Sequence, residues 1–220
     1  MRKKISRWLG LKLATLVRRA EPELEARNRP QFANSPRDLV IQSPSRIINA
    51  EFMTIGDNVS LGPGCLFNAI RRYPGRFLTH LPEGTEVQEF EPSIRIGDRV
   101  SATGYLSVAA VQSVVVEDDV IFASNVYLAD HAHGRGRADV PYKYQPLSDI
   151  APVVIGKGCW IGEHAVIMPG VTIGEFSIVG ANSVVTKDVP PRSIAVGSPA
   201  RVVREWSDRQ ADWVAPSGSS

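Results

Sequence analysis

The sequence predicts an all-β chain: a coil of short stacked strands with protruding loops and a short helix at the N-terminus. Three observations carry this. Residues 155–190 divide without remainder into six hexapeptides, IGKGCW, IGEHAV, IMPGVT, IGEFSI, VGANSV and VTKDVP. The register continues upstream in VEDDVI, FASNVY and LADHAH (116–133), and before that in IGDNVS, LGPGCL and IGDRVS. Two stretches rich in Pro and Gly, 69–93 and 134–152, interrupt it.

The hexapeptides exclude the common alternatives. An amphipathic helix needs apolar residues at i, i+3 and i+4, and a half-buried strand alternates by twos. A strict period of six is neither, and a repeat of fixed length is read before any local propensity. The first position is always Ile or Val, so one aliphatic side chain per hexapeptide points into a narrow core. The fifth position is Cys, Ala, Val, Ser, Ser or Val, small enough for a tight corner. Gly at the second position allows close approach of neighbouring backbone. One coil cannot bury its own face, so stacking supplies the stability.

Upstream, Val116, Phe122 and Leu128 take the inward positions. Ile96 and Val116 are 20 residues apart where three hexapeptides would make 18, which predicts a two-residue bulge. The interruptions read as loops thrown out of the coil, and long loops in compact domains are often functional. The organisation is thus a lead-in with an amphipathic helix at 1–45, the coil at 46–205, and a tail at 206–220. Within that tail DWVAPSGSS (212–220) reads as disordered.

Residues 1–20 hold seven of the 25 basic residues and no acid, leaving 18 basic against 23 acidic residues in the remainder. A mildly acidic body lacks the basic patch of a nucleic-acid binder. In the basic segment, Ile5, Trp8, Leu9, Leu13 and Leu16 fall near one helical face, interrupted by Lys12. Such a helix can lie on an anionic membrane surface or pack on the base of the coil. Cys65 and Cys159 have neither disulfide-framework nor zinc spacing; both stand at small fifth positions, which reads as packing. No apolar run is long enough to span a membrane, and no signal-peptide cleavage pattern follows the basic start. The expected location is the cytoplasm, with the inner membrane face as an option through residues 1–20.

Four histidines are the candidates for chemistry. His164 is the fourth residue of a regular hexapeptide and reads as a surface or interface residue on the coil. His80 lies in the first loop, as a solvated residue or an acceptor contact. His131 and His133 fall in LADHAH at positions four and six, where the coil gives way to the second loop. In an extended segment both project to the same side, and Asp130 to the other. Asp130 is either a contact to an acceptor or a turn residue bonding backbone. A neutral imidazole can take the proton of an attacking hydroxyl, so either histidine can serve as base on residue chemistry alone.

The pattern resembles the hexapeptide-repeat acyltransferases, over roughly residues 47–205. Its most specific part is PVVIGKGCWIGEHAVIMPGVTIGEFSIVGANSVVTKDVPPRSIAVGSPARVVR (152–204), which is similar to galactoside and maltose O-acetyltransferases and to polysaccharide and O-antigen O-acetyltransferases. The resemblance implies a left-handed parallel β-helix, a homotrimer, acetyl-CoA as co-substrate in the groove between subunits, and no required metal. It places the base on His133, with His131 and Asp130 orienting it or contacting acceptor. Trp160, Ala181, Thr186, Lys187, Arg201 and Arg204 match positions along the coenzyme. Thr103 stands where the galactoside enzymes carry an acceptor-binding Asn, so acceptor recognition does not transfer; at the coenzyme end Glu163 replaces a small residue, and that contact does not transfer either. The implied function is O-acetylation of a sugar hydroxyl in surface polysaccharide or glycolipid assembly, by direct transfer. The alternatives are sugar N-acetylation, a non-catalytic scaffold, and a zinc carbonic anhydrase-like enzyme using three of the histidines.

Overall fold

The first residues of the six regular hexapeptides, Ile155, Ile161, Ile167, Ile173, Val179 and Val185, are each no more than 1% exposed. They do not line one strand. Ile155 pairs with Ile173, Ile161 with Val179, and Ile167 with Val185, each 18 residues on. Each turn of the chain therefore visits three parallel sheets in succession, placing one aliphatic residue inside at each. This is a three-sided coil, and the computed structural model describes it over residues 30–75 and 78–216, together with residues 12, 15 and 16.

Face 1 carries, in order, Val40–Ile41, Ser60–Leu61, Ser101–Ala102, Ile121–Phe122, Trp160–Ile161, Ile178–Val179 and Ser193–Gly197. Face 2 carries Arg46–Ile48, Leu66–Ala69, Ser107–Ala110, Tyr127–Ala129, Val166–Ile167 and Val184–Val185. Face 3 carries Met53–Ile55, Ser93–Ile96, Ser113–Val116, Val153–Ile155 and Thr172–Ile173. Inside, the ladders stack like on like: Phe67, Val108, Leu128 and Ile167 align on face 2 and are fully buried. Val116, Phe122 and Leu128 all point inward as expected. Burying each such side chain contributes about 1.5–3 kcal/mol.

The other positions of the repeat have local causes. The fifth residues Cys65, Cys159, Ala165, Ser177 and Ser183 are buried at the corners. The Cys65 and Cys159 thiols donate to the carbonyls of Gly62 and Gly174, and burial pushes the Cys159 thiol up to about 11. Both are packing residues. A Cβ on Gly162 would stand 2.6 Å from the Ala181 nitrogen in the coil above; only glycine lets the coils approach there. Acidic residues at the edge between faces 3 and 1 tie one coil to the next. The Asp98 carboxylate accepts the Asp57 N–H at 2.8 Å, and the Asp118 carboxylate accepts the Asp98 N–H at 2.9 Å.

Three boundaries differ from the sequence expectation. The coil starts earlier, because Val40–Ile41 already pairs with Ser60–Leu61. It is closed by an antiparallel ribbon, Ala200–Ser207 on Ser193–Gly197 and Asp212–Val214 on Ala200–Ser207. Residues 212–214 are thus a strand and not disordered: Trp213 stacks edge-on against Trp206, centroids 5.6 Å apart, which the low-complexity reading of the tail ignored. The chain divides into units 1–31 and 32–220. In the first, Lys12, Thr15 and Leu16 have helical backbone; Ile5, Trp8, Leu9 and Leu13 lie outside the described residues. Among the described residues no helix is long and apolar enough to cross a membrane.

Candidate active site

Both interruptions leave the coil at the same edge, between faces 2 and 3. The first follows Leu66–Ala69 and returns at Ser93–Ile96; the second follows Tyr127–Ala129 and returns at Val153–Ile155. The coil between them takes no loop there. It takes the two-residue bulge: Val108 and Val114 keep the six-residue step, but the inward partner of Ile96 is Val116, so the excess falls after Ser107–Ala110. Loop, bulge and loop are stacked on one edge.

Asp130 holds this edge together. Its carboxylate accepts the backbone N–H groups of Val111 at 2.9 Å, Gln112 at 2.7 Å and Ser113 at 2.7 Å, the turn that the bulge creates. It also accepts from His131 Nδ1 at 2.8 Å. Burial alone would raise the Asp130 pKa; the bond from His131 and the N–H groups of Val111 and Gln112 outweigh it and hold the carboxyl below its ordinary value. Asp130 is 0% exposed. The expected acceptor contact is therefore corrected: its oxygens are committed to the bulge and to His131, and no face remains for an acceptor.

The two histidines part ways here. His131 is 11% exposed and hydrogen-bonded to Asp130. His133 is exposed. It lies in a loop hairpin, Ala132–His133 antiparallel to Leu147–Ser148. Gly134 follows because a Cβ there would lie 2.0 Å from the Pro146 carbonyl oxygen across the hairpin. Behind it, the buried Gln145 side chain donates to the carbonyls of Arg137 and Val140 and accepts the Arg137 N–H, closing the loop on itself.

The first loop comes to meet the second. It forms a short hairpin, Arg72–Tyr73 against Gln88–Glu89. The Gln88 amide accepts the Leu147 N–H at 2.6 Å and donates to the Leu147 carbonyl at 3.3 Å, acting as a strand segment. Tyr73 Oη stands 3.1 Å from His133 Nδ1 and donates to the Lys143 carbonyl at 2.8 Å. Tyr73, Gln88 and Gln145 were missed from sequence. Their loops carry no repeat, so no register ties residue 73 to residue 133.

The remaining expected residues lie on different edges. Thr186 and Lys187, both exposed, follow Val184–Val185 on the same 2–3 edge as the histidines. Thr103 and Ala181 stand on the edge between faces 1 and 2, with Glu163 and His164. His164 there is exposed and has φ 59°, a corner of the coil. Trp160, 52% exposed, projects from face 1. Arg201 and Arg204 are exposed on the closing ribbon. One chain does not bring these groups together. His164 is likewise on another edge from His131 and His133, and no cluster of three or more His, Cys, Asp or Glu able to hold a metal occurs among the described residues.

The sequence is 32% identical over 171 residues to the galactoside O-acetyltransferase of Escherichia coli strain K12, covering 77% of this chain and 71% of that protein. The chain belongs to the hexapeptide-repeat acetyltransferases. The family model for bacterial transferase hexapeptide, six repeats, matches residues 152–187. A second relative from the same strain, WbbJ, is named for lipopolysaccharide biosynthesis O-acetyl transfer; it is 28% identical over 181 residues, 79% of this chain and 82% of that one. Among solved structures, AntD, an N-acyltransferase from Bacillus cereus crystallised as a variant with dTDP and coenzyme A, superposes with a TM-score of 0.63 at 20% identity, over 86% of this chain and 90% of that chain. The acetyltransferase fold is thus the left-handed parallel β-helix, and the protein is an acyltransferase.

Proposed function

We propose that this acetyltransferase moves an acetyl group from acetyl-CoA directly to a sugar hydroxyl, with His133 as general base. The observation that carries the reading is the contrast at the 2–3 edge. Of the pair, His133 is the exposed one, where the two loops touch through Tyr73, while His131 is largely buried and bonded to Asp130. A sugar hydroxyl is a poor nucleophile while protonated, and an imidazole in hydrogen-bond reach removes that obstacle. His133 takes the proton as the acceptor oxygen bonds to the thioester carbonyl carbon. The carbon–sulfur bond then breaks, and the imidazolium returns the proton to the departing thiolate. No acyl-enzyme is needed: Cys65 and Cys159 are buried and bonded, and burial raises both thiols.

The scatter of the coenzyme residues supports a homotrimer. Thr186 and Lys187 on the 2–3 edge meet Ala181 and Trp160 only if the 2–3 edge of one copy faces the 1–2 edge of the next. Such a heterologous contact closes into a ring when the rotation between copies is a threefold one, and the coenzyme runs between subunits. Lys187, Arg201 and Arg204 supply cations for its phosphates. Exposed Ile121 and Trp160 on face 1 and Val203 on the closing ribbon give that contact an apolar component. The likeness to the galactoside enzyme and to WbbJ favours a hydroxyl acceptor on a surface glycan or glycolipid; transfer to an amino sugar uses the same groups and is the second reading, favoured by the fold's likeness to AntD.

The test is thiol release from acetyl-CoA with cell-envelope glycan fractions and amino-sugar acceptors, for the wild type and His133→Ala. General-base loss predicts a fall of roughly 10²–10⁴-fold with hydroxyl acceptors. Normal turnover by His133→Ala would refute the base assignment, and turnover confined to amino sugars would move the protein to the second reading.

A further inference from the structure

The geometry points to Tyr73 as the residue that fixes which nitrogen of His133 is free to act as base. A phenol carries one hydrogen. Tyr73 Oη lies 2.8 Å from the Lys143 carbonyl oxygen, which can only accept, so that hydrogen is committed there. The same oxygen lies 3.1 Å from His133 Nδ1. Having no second hydrogen, it meets Nδ1 with a lone pair, and Nδ1 must be the donor. Neutral His133 is therefore held as the Nδ1–H tautomer, with the Nε2 lone pair unprotonated. This rests on the reading of His133 as the base, to which it adds the atom and the cause.

The surroundings support it. Burial pushes the Tyr73 phenol up from its ordinary value, so it remains a phenol and not a phenolate. Its ring meets the His133 ring edge-on, centroids 5.5 Å apart and planes at 64°, so the imidazole is fixed by packing as well as by the bond. The carbonyl that takes the phenol hydrogen belongs to the turn Tyr142–Tyr144, which is in the same loop as His133. Tyr73 thus crosses from the first loop and bonds both sides of the second. When His133 becomes the imidazolium during transfer, Nδ1–H keeps the same acceptor, so the proton moves at Nε2 without rearrangement. Tyr73 touches neither thioester nor acceptor in this scheme; it is a positioning residue. The first loop thus has a task of its own at the base.

The test is nitrogen-15 NMR of histidine-labelled full-length protein, with the His133 resonances assigned by their loss in His133→Ala. Neutral His133 in the wild type should show a protonated Nδ1 and an unprotonated Nε2. Tyr73→Phe keeps the ring and removes the oxygen. It should move His133 toward the Nε2–H form that free imidazoles of histidine prefer, and lower kcat about tenfold with the acetyl-CoA KM unchanged, the loss of one hydrogen bond expressed as rate. Gln88→Ala, which loosens the clasp without touching His133, should leave the tautomer as in the wild type. A wild-type His133 carrying its proton on Nε2, or a Tyr73→Phe protein with unchanged tautomer and kcat, overturns the assignment. The wild-type spectrum decides even if Tyr73→Phe does not fold. Full activity in His133→Ala would instead sink the base reading, leaving the spectrum free to report the tautomer on its own.

Discussion

His131 and His133 are two residues apart and belong to different structures. His131 is part of the coil: its Nδ1 is bonded to a buried carboxylate that also holds three backbone N–H groups of the neighbouring turn. His133 is part of the loops: its Nδ1 faces a phenol from a segment 60 residues away, and its ring is exposed. The difference teaches how this fold separates tasks. Coil corners supply groups of fixed position and little access. Loops leaving the same corner supply access, and they must clasp each other to acquire fixed position.

The comparison breaks most easily at Asp130. Asp130→Ala leaves three N–H groups and His131 without their acceptor in a buried site. It should destabilise the fold by about 3–5 kcal/mol, measured by denaturant unfolding of the intact protein. A cost near that of a surface substitution would mean the bulge is held by other contacts. The same carboxylate makes a pH prediction. Its folded pKa lies below the ordinary 3.8, so its stabilisation is complete above that value and is lost as pH falls through the folded pKa. The stability gap between wild type and Asp130→Asn should be constant from neutral pH down to about 5 and shrink below it.

A smaller effect is expected at the coenzyme end. Lys187→Ala should raise the acetyl-CoA KM about tenfold, the worth of one charge-assisted bond, with stability unchanged because the side chain is exposed. The smallest is Gln88→Ala. Losing the paired bonds to Leu147 should cost about 1 kcal/mol and speed amide exchange in the second loop, which hydrogen exchange would detect. Protection in that loop unchanged by Gln88→Ala would show that the clasp rests on Tyr73 alone.

The coil was legible in the sequence because a repeat repeats its physics. Ile155 to Val185 are buried for the reason Val116, Phe122 and Leu128 are, and the 20-residue step located a real bulge. The shared edge of the two loops comes from the structure: each loop follows one regular step, Leu61 to Phe67 and Phe122 to Leu128, and Leu61 and Phe122 align on face 1 through Ala102. What the sequence did not show was the contact across that edge. Tyr73 reaches His133, and Gln88 reaches Leu147, through loop geometry that no period constrains. Asp130 was read with the acceptor in view because its neighbours are histidines; its burial follows from the bulge it fills. The strand at 212–214 was lost to the Ser and Gly that follow it, although Trp213 had a partner in Trp206.

The most direct measurement is the pair His131→Ala and His133→Ala, each assayed for acetyl-CoA turnover and for its denaturation midpoint under one set of conditions. The two regions predict a crossed result. His133→Ala should lose turnover by roughly 10²–10⁴-fold and keep the wild-type midpoint. His131→Ala should lower the midpoint, by about 1–3 kcal/mol of stability, and keep turnover within about tenfold of the wild type. The reverse pattern, with His131→Ala inactive at full stability and His133→Ala active, would place the base on the coil and contradict the account.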